Sequence, residues 1–287
     1  MLDPYVLRAD GTWTPPIPVS HRDADYDSAG FVSLRDIQTR HFWYRGRHRF
    51  LLHFTRQILA DFRRRGVRPA AVDLGGGCGG WVSYLAERAG SEFSEIALAD
   101  SSTTALSLAS DSLPAGAKRY QIDLLNLQWS DRWDIAFLLD VLEHIEQDEA
   151  VLRQAREALR PGGALVVATP ALEWFRSGID NMTHHVRRYA RRDFEQLARA
   201  AGLEVVVTRY FMFFLSPLLW LARLRAPDPA AMTPAEIRRY LDQADRIPAA
   251  PINELLAATF SAETPLGAVC PFPWGTSVLA VLRRPQR

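Results

Sequence analysis

The chain has 287 residues, of which 48% are hydrophobic, and its net charge is +1. This length is sufficient for one large domain, or for one domain with a lid. The balanced charge argues against a nucleic-acid partner, and the two cysteines exclude a disulfide framework. We expect a cytoplasmic protein, because the N-terminus lacks signal-peptide features and no apolar stretch is long enough to span a membrane.

The N-terminal region is predicted to contain an arm followed by a helix. Residues 1–30 are rich in Pro, Asp and Gly, which favours irregular structure. Residues 34–65 are predicted to form one helix, whose centre carries the aromatic and basic segment between His41 and Phe50. We therefore treat residues 1–65 as one N-terminal unit.

The region that follows alternates apolar strand-like runs with helix-like segments. Strands are predicted at 70–75, 95–100, 119–124, 133–140 and 163–169, with helices at 79–90, 102–112, 146–160 and 191–202. Two further strands, 203–211 and 276–282, are expected to form an antiparallel pair. The pattern predicts an α/β fold with a doubly wound, mostly parallel sheet of seven strands, built from residues 66–211 and 275–287.

An insertion of about sixty residues, 212–274, separates the last two predicted strands. Insertions of this length usually serve as lids or interaction surfaces, and we predict a helical lid. It includes most of the most apolar stretch of the chain, Tyr210 to Leu224, which Pro217 interrupts. Core packing, a lid over a lipophilic acceptor, a dimer face and a shallow membrane contact all remain open for this stretch.

Four aspartates each follow a predicted parallel strand: Asp73, Asp100, Asp123 and Asp140. In open α/β sheets, ligands bind beyond the carboxyl ends of the strands. Carboxylates repel phosphate and attract ammonium or sulfonium groups. This edge of the sheet therefore favours a nucleoside-like cofactor without phosphates.

Asp73 opens a glycine loop that has two interpretations. Gly75, Gly77 and Gly80 satisfy the dinucleotide pattern G-x-G-x-x-G, and Asp100 follows about 20 residues later. An NAD-dependent oxidoreductase is therefore one alternative. Asp73 disfavours it, because a carboxylate two residues before the first glycine would reach a cationic amino group but would crowd a phosphate.

Taken together, these residues resemble the class I S-adenosylmethionine-dependent methyltransferases, which have a Rossmann-like fold. The resemblance covers about residues 40–210 and includes the segment from Asp140 through Glu143 to His144. It implies that the glycine loop contacts the amino-acid part of S-adenosyl-L-methionine, that Asp100 binds the ribose hydroxyls and that Asp123 meets the adenine amine. The cofactor contacts that it implies are Asp73, Gly75, Gly76, Gly77, Gly79, Asp100, Ser101, Asp123, Leu124, Asp140, Val141, Tyr44 and Arg47.

The N-terminal helix also resembles that of a subset of these methyltransferases, through the pattern Trp43-Tyr44-x-x-Arg47. The resemblance implies that residues 1–65 cover the cofactor, with Arg47 binding its carboxylate and Tyr44 or Trp43 facing its sulfonium by a cation–π contact. The alternative is an amphipathic helix that packs its aromatic side chains on the sheet.

Two histidines are candidate catalytic residues, because methyl transfer to a hydroxyl or protonated amine requires a proton acceptor. His144 follows the fourth predicted strand, and His185 lies in the loop after the fifth. Arginines beside His185 favour a neutral imidazole, whereas acidic neighbours of His144 favour its charged form, so His185 ranks first. Arg187 or Arg188 would hold an anionic part of the acceptor. The His144 segment has two alternatives, a helix start and a metal ligand.

We predict an S-adenosylmethionine-dependent methyltransferase that methylates an oxygen of a small-molecule or lipid-linked metabolite. We predict no metal site in this enzyme. N-methylation of a small molecule is the second choice. A non-catalytic S-adenosylmethionine-binding regulatory protein and an NAD-dependent oxidoreductase are the further alternatives. The predicted partner is a small-molecule acceptor, without nucleic acid or a membrane span, and a peripheral membrane contact stays open. We expect a monomer or homodimer.

Overall fold

The computed structural model describes residues 4–21, 30–224 and 227–286. Nine strands occur in this part of the chain: β1 (Val6–Leu7), β2 (Thr12–Thr14), β3 (Ala70–Leu74), β4 (Glu95–Asp100), β5 (Lys118–Gln121), β6 (Trp133–Leu139), β7 (Leu159–Pro170), β8 (Glu204–Phe211) and β9 (Ser277–Arg283). They form one sheet, in the order β1-β2-β5-β4-β3-β6-β7-β9-β8.

Helices cover both faces of this sheet and fill the insertion before β9. They are α1 (Gly30–Ile37), α2 (Phe42–Arg64), α3 (Gly80–Ala89), α4 (Thr103–Ala109), α5 (Asp148–Ala158), α6 (Gly178–Met182), α7 (Asp193–Ala201), α8 (Ser216–Arg223), α9 (Pro234–Ala244) and α10 (Ala250–Val269). No helix within the described ranges is long and apolar enough to cross a membrane.

The centre of the sheet confirms the predicted α/β fold. β3 is buried at all five positions, which explains why its sequence is a continuous apolar run rather than an alternating one. It pairs in parallel with β4 and β6, while β9 runs antiparallel to both β7 and β8. The parallel strands β3, β4, β5 and β6 therefore end at one edge and bring their four aspartates together.

The prediction of seven strands is wrong, because β1 and β2 extend the sheet at its β5 edge. β2 pairs in parallel with β5, and β1 pairs antiparallel with β2. Aromatic side chains hold this part of the predicted irregular arm in place: Tyr5 meets Tyr120 edge-to-face at 5.3 Å, and Trp13 stacks on the same ring at 6.0 Å. The Tyr5 hydroxyl also donates to the Leu127 carbonyl. Residues 22–29 of the predicted arm lie outside the described residues.

The prediction of one helix over residues 34–65 is also wrong, because the chain breaks between α1 and α2. His41 caps α2 by accepting a hydrogen bond from the Trp43 amide. Asn253 of α10 spans the break: its side chain accepts from the Phe42 amide and donates to the Arg40 carbonyl, both at 2.9 Å. A distant residue thus satisfies the backbone groups that the break exposes.

The insertion is helical, as predicted, and α10 packs against α2. The ring of Phe260 occupies the space where a β-carbon at Gly46 would lie, so glycine is required for this close approach. Glu263 is fully buried and accepts from the backbone amides of Met212, Phe213 and Phe214. These bonds fix the chain where it leaves β8 and enters the insertion.

Candidate active site

A cavity of about 720 Å³ lies at the carboxyl ends of the central strands. Its walls contain both candidate histidines and every predicted cofactor contact except Gly79. Gly79 precedes α3 with a φ of +76°, and a β-carbon there would meet the Leu113 side chain at 2.8 Å. Packing and backbone conformation therefore account for this glycine.

The glycine loop bends tightly around the end of β3. Gly75 and Gly77 have φ values of +75° and +56°, which side chains with a β-carbon rarely adopt. The Gly75 amide donates to the Ala99 carbonyl at 2.8 Å. At Gly76, a β-carbon would collide with the carboxylate of Asp73. The loop is thus folded by its glycines around a buried acid.

Asp73 is the most deeply placed acid of the cavity, with an exposed fraction of only 2%. Burial raises its pKa to about 7; Arg47 opposes this rise, whereas Asp100 and Asp140 add to it. Within the described residues, Oδ1 of Asp73 has no hydrogen-bond partner. A buried acceptor without a partner is costly, so this oxygen suits a ligand that donates.

Asp100 fastens the glycine loop as well as facing the cavity. One carboxylate oxygen accepts from the Gly77 amide and the other from the Ser102 amide, both at 2.8 Å. Burial raises the pKa of Asp100, and these amides oppose the rise. The Asp100 side chain is thus buried and joins two turns.

An ion pair brings the N-terminal helix α2 to the end of β6. Nη2 of Arg47 lies 2.6 Å from Oδ2 of Asp140. Arg47 is buried, and its Nε has no partner in the described structure. Its guanidinium lies 5.2 Å from the Trp43 ring and 6.0 Å from the Tyr44 ring. Asp140 itself has a φ of +58°, a conformation that is strained for a residue with a β-carbon.

Asp123 lies on the turn that follows β5. Its Oδ1 accepts from the Leu125 amide at 2.9 Å, and both Asp123 and Leu124 line the cavity. Nearby, Nδ1 of His21 lies 2.8 Å from the hydroxyl of Ser101. The N-terminal arm therefore reaches the same wall of the cavity as the end of β4.

The two candidate histidines lie together on the opposite side. The His144 and His185 rings meet edge-to-face, with their centroids 4.8 Å apart. Glu143 is fully buried between these segments and Asp140, and neither of its carboxylate oxygens has a hydrogen-bond partner in the described structure. Burial, followed by the charge of Asp140, raises the pKa of Glu143 well above its ordinary value. Burial thus favours the protonated form of Glu143, which is able to donate.

The same cluster has a spacing that would also suit a metal ion. One potential ligand atom from each of Glu143, His144 and His185 lies within 4.8 Å of the others. Nδ1 of His185, however, already lies 3.0 Å from Oδ1 of Asp180. Proton transfer and metal binding would thus use the same side chains. Measuring methyl transfer after removal of metal ions with a chelator distinguishes the two.

The arginines beside His185 do not serve as predicted. Arg187 donates to Asp148 at 2.6 Å, and Arg188 forms a buried ion pair with Asp180 at 2.8 Å. Both arginines are therefore already paired with carboxylates and are not available to an anionic acceptor. His185 also faces a carboxylate directly, since its Nδ1 lies 3.0 Å from Oδ1 of Asp180.

Residues 42–208, more than half of the chain, match the model of the family Methyltransf_23, described as a methyltransferase domain. The chain belongs to this methyltransferase family. The methyltransferase resembles the ubiquinone biosynthesis O-methyltransferase of Cereibacter sphaeroides strain KD131, with 27% identity over 199 residues. The matched region is 61% of this chain and 78% of that protein. Proteins of the same name from three other strains match at 27% identity.

Solved structures share the fold of the methyltransferase. Phosphoethanolamine N-methyltransferase 2 of Haemonchus contortus has a TM-score of 0.54 and 18% identity, over 96% of this chain and 62% of that one. A Haloferax volcanii complex of a methyltransferase with the Trm112 activator gives a TM-score of 0.57 and 17% identity, over 93% and 99% of the two chains. At these identities, the likeness shows the fold alone.

The cofactor of the methyltransferase is S-adenosyl-L-methionine, as predicted. The cavity fits this group, since the partnerless Oδ1 of buried Asp73 provides an acceptor for an ammonium group. The positive φ angles of Gly75 and Gly77 let the backbone approach a ligand closely. The family match speaks against the alternative of an NAD-dependent oxidoreductase. Methyl turnover distinguishes an enzyme from the other alternative, a non-catalytic binding protein.

The sequence interpretation missed one residue of this site, Asp180. Its carboxylate accepts from Nδ1 of His185 and from Arg188, while its other oxygen caps α6 by accepting from the Ser177 amide. The pattern Ser177-x-x-Asp180 is a capping-box arrangement, which was the available signal. The insertion also supplies cavity residues that were not predicted individually, among them Ile237 and Leu241 of α9.

Proposed function

We propose that the methyltransferase methylates a hydroxyl group of a neutral, lipophilic small molecule. The observation that carries this proposal is the pairing of the arginines in the described cavity wall. In the part of the wall away from the glycine loop, Arg188 pairs with Asp180 and Arg238 with Asp242. An anionic acceptor would have to break one of these pairs and leave a carboxylate uncompensated, at a cost of several kcal/mol where the pair is buried, about 3 to 5.

The lining of the far part of the cavity supports the lipophilic character of the acceptor. We define the cofactor half as the glycine loop with Asp73, Asp100, Asp123 and Asp140, and the acceptor half as the walls from Glu143–Ile145, α6, the His185 loop, α8 and α9. Apolar side chains of three helices line the acceptor half: Ile179, Met182, Leu219, Ile237 and Leu241. The insertion 212–274 thereby acts as a lid that excludes water from the reacting hydroxyl.

The name of the relatives from Cereibacter sphaeroides supports the choice of a hydroxyl. Those proteins are called O-methyltransferases of ubiquinone biosynthesis. A hydroxyl acceptor needs a group to take its proton, and the acceptor half contains two histidines for this task. An amine acceptor is the second choice, and it is tested alongside.

In the cofactor half, the residues present would hold S-adenosyl-L-methionine as follows. Asp73 accepts from the ammonium group, Gly75, Gly76 and Gly77 give room for close approach, and Asp100 with Ser101 binds the ribose. Asp123 and Leu124 face the adenine, and Asp140 and Val141 form the adjoining wall. Arg47 would face the carboxylate, and Trp43 or Tyr44 would cover the sulfonium by a cation–π contact. When bound, the cofactor supplies a methyl group that its sulfonium makes electrophilic.

In the acceptor half, His185 takes the proton of the hydroxyl as its oxygen becomes the nucleophile. His144 packs against His185 and is the second candidate for this role. Glu143, held neutral by burial, donates a hydrogen bond that orients the acceptor oxygen. No metal is required in this scheme, since the base and the orienting acid are both side chains of the chain itself.

The acceptor in this proposal is a small molecule and not a nucleic acid, and the methyltransferase is a monomer or a homodimer. Four apolar side chains of α8 and its end are exposed: Leu218, Trp220, Leu221 and Leu224. This exposed apolar surface would mediate a peripheral membrane contact or the contact between the subunits of a homodimer.

A panel of three defined acceptors tests the proposal, with isotopically labelled S-adenosylmethionine as the donor. 4-Hexylcatechol represents a neutral lipophilic hydroxyl, hexylamine an amine, and phosphoethanolamine a charged acceptor. We expect label transfer to the catechol oxygen and none to phosphoethanolamine. Transfer to hexylamine alone would replace O-methylation by N-methylation, and transfer to phosphoethanolamine would overturn the neutral-acceptor proposal.

A further inference from the structure

Asp180 is a buried acid in the loop before His185, and the cofactor site does not account for it. Its exposed fraction is 1%, and its side chain lies at the first turn of α6. The chain returns to it through a turn in which His184 has a φ of +59°, so that the His185 amide donates to the Asp180 carbonyl at 2.8 Å. Backbone and side chain of His185 are thus both fixed to the same residue.

The two carboxylate oxygens of Asp180 have separate tasks. Oδ2 accepts from the Ser177 amide at 2.8 Å and so caps α6. Oδ1 accepts from Nδ1 of His185 at 3.0 Å and from Nε of Arg188 at 2.8 Å. Although burial alone would raise the pKa of Asp180, the hydrogen bonds from His185 and the charge of Arg188 hold it well below its ordinary value.

We propose that Asp180 is a positioning residue for the methyl-transfer reaction, and that it holds His185 in the tautomer with its proton on Nδ1. This inference rests on the proposed function, because it assumes that His185 is the base. An imidazole whose Nδ1 proton is bound to a carboxylate has its lone pair on Nε2. His185 lines the cavity, so the acceptor hydroxyl gives its proton to Nε2 while Asp180 stabilises the resulting imidazolium.

Arg188 gives this arrangement its charge balance. It is buried with Asp180, and it also donates to the Ala171 carbonyl at 3.0 Å, so its position is fixed from two sides. Its charge balances that of the Asp180 carboxylate beside the ring of His185. A catalytic base has to begin the reaction neutral.

The other polar groups around His185 leave this role to Asp180. Asp140 interacts with His185 through its charge rather than through a hydrogen bond, and burial favours the protonated form of Glu143. His144 meets the ring of His185 edge-to-face. Arg176 binds the backbone carbonyl of His185 rather than its ring.

The first experiment measures the tautomer directly in the full-length protein saturated with S-adenosylhomocysteine. Histidine is labelled with ¹⁵N, and the two ring signals of His185 are assigned by their loss in His185→Gln. We expect the neutral ring to carry its proton on Nδ1 in the wild type. A proton on Nε2 would overturn the proposal, and this test needs neither an acceptor nor a variant of Asp180.

The second experiment is a double-mutant cycle in single-turnover methyl transfer to 4-hexylcatechol. We expect Asp180→Asn to lower the rate about 10- to 10³-fold in the wild-type background and less than about twofold in His185→Gln, because a positioning residue acts only through its partner. A merely structural role would lower the rate in both backgrounds. Ser177→Ala is the matched control: it weakens the cap of α6 and removes the 3.4 Å contact of the Ser177 hydroxyl with Oδ2 of Asp180, but it keeps the contact of His185 with Oδ1, and its rate should stay near that of wild type.

The outcomes separate this inference from the proposed function. A slow His185→Gln enzyme beside a normal Asp180→Asn enzyme would overturn the role of Asp180 and leave the base in place. A normal His185→Gln enzyme would overturn both roles. If 4-hexylcatechol is not methylated at all, the proposed acceptor class fails, and the tautomer measurement alone decides the role of Asp180.

Discussion

The cofactor half and the acceptor half of the cavity differ in how their charged groups are paired. In the cofactor half, the four aspartates outnumber the one arginine that reaches them, and Oδ1 of Asp73 has no partner in the described structure. In the acceptor half, Arg188 and Arg238 are each paired with a carboxylate. The first half therefore attracts a cationic ligand, whereas the second offers no charge to an anionic one. The same cavity in this way selects two chemically different ligands.

Gly77→Val is expected to have the largest effect on the cofactor half. Gly77 has a φ of +56°, and a β-carbon there would meet Leu34 at 3.2 Å. We expect S-adenosylhomocysteine binding to be lost in calorimetric titration. Gly116→Val is the matched control, since Gly116 also has a positive φ, of +87°, but nothing lies within 4 Å of its β-carbon position. Normal affinity in a folded Gly77→Val protein would reduce the glycine loop to a simple turn.

His185→Gln is expected to have the next largest effect, and only on the acceptor half. The rate of single-turnover transfer should fall about 10²- to 10⁴-fold through the loss of the base, while the affinity for S-adenosylhomocysteine stays near that of wild type. His144→Gln is measured beside it. A dead His144→Gln enzyme with an active His185→Gln enzyme would reverse their ranking, and two active variants would indicate catalysis by positioning alone.

Asp100→Asn should weaken cofactor binding by about 1 to 3 kcal/mol, because a charged acceptor of ribose hydroxyls is lost and its bond to the Gly77 amide is disturbed. Asp134→Asn is a suitable control. Asp134 likewise accepts from a backbone amide, that of Ala70, but it lies at the opposite ends of the strands. Equal affinities of wild type and Asp100→Asn for S-adenosylhomocysteine would remove Asp100 from the site.

Cofactor affinity should depend on pH through Asp73, whose pKa burial raises to about 7. Binding of an ammonium group requires the carboxylate, so a proton must leave Asp73 when the pH is below this value. Affinity for S-adenosylhomocysteine should therefore rise up to about tenfold per unit between about pH 6 and pH 7 and then level off. Asp73→Asn should bind weakly, with no such rise. An affinity that falls over this range in the wild type would contradict the assignment.

Chelation is expected to have the smallest effect. Treatment with EDTA should leave methyl transfer to 4-hexylcatechol unchanged, because the proposed scheme uses side chains alone. Loss of activity that added Mg²⁺ or Zn²⁺ restores would instead assign Glu143, His144 and His185 to a metal site, as their spacing permits.

The sequence predicted the cofactor half well because its signals are local. The buried run of β3 ends at Asp73, and the glycines that bend the loop are its immediate neighbours. The same holds for β4 and Asp100. Each of these elements combines an apolar strand with a polar residue at its end, and the rule for parallel sheets places those ends together.

The structure departed from prediction where distant residues decide the outcome. The break before α2 is satisfied by Asn253, more than 200 positions away, so the helical pattern of residues 34–65 gave no sign of it. The strand β2 depends on the contact of Trp13 with Tyr120. The partners of Arg187 and Arg188 were likewise set by tertiary contacts, with Asp148 on another element and Asp180 across a turn.

The central claim, that paired arginines make the acceptor half selective for neutral molecules, is tested most directly by one ratio. This is the kcat/KM for 4-hexylcatechol divided by that for 3,4-dihydroxybenzoate, measured in the wild type and in Asp242→Asn, which removes the negative charge that Asp242 places beside Arg238. We predict a ratio well above one in the wild type and a smaller ratio in the variant. A wild type that prefers the carboxylate-bearing acceptor would contradict the account.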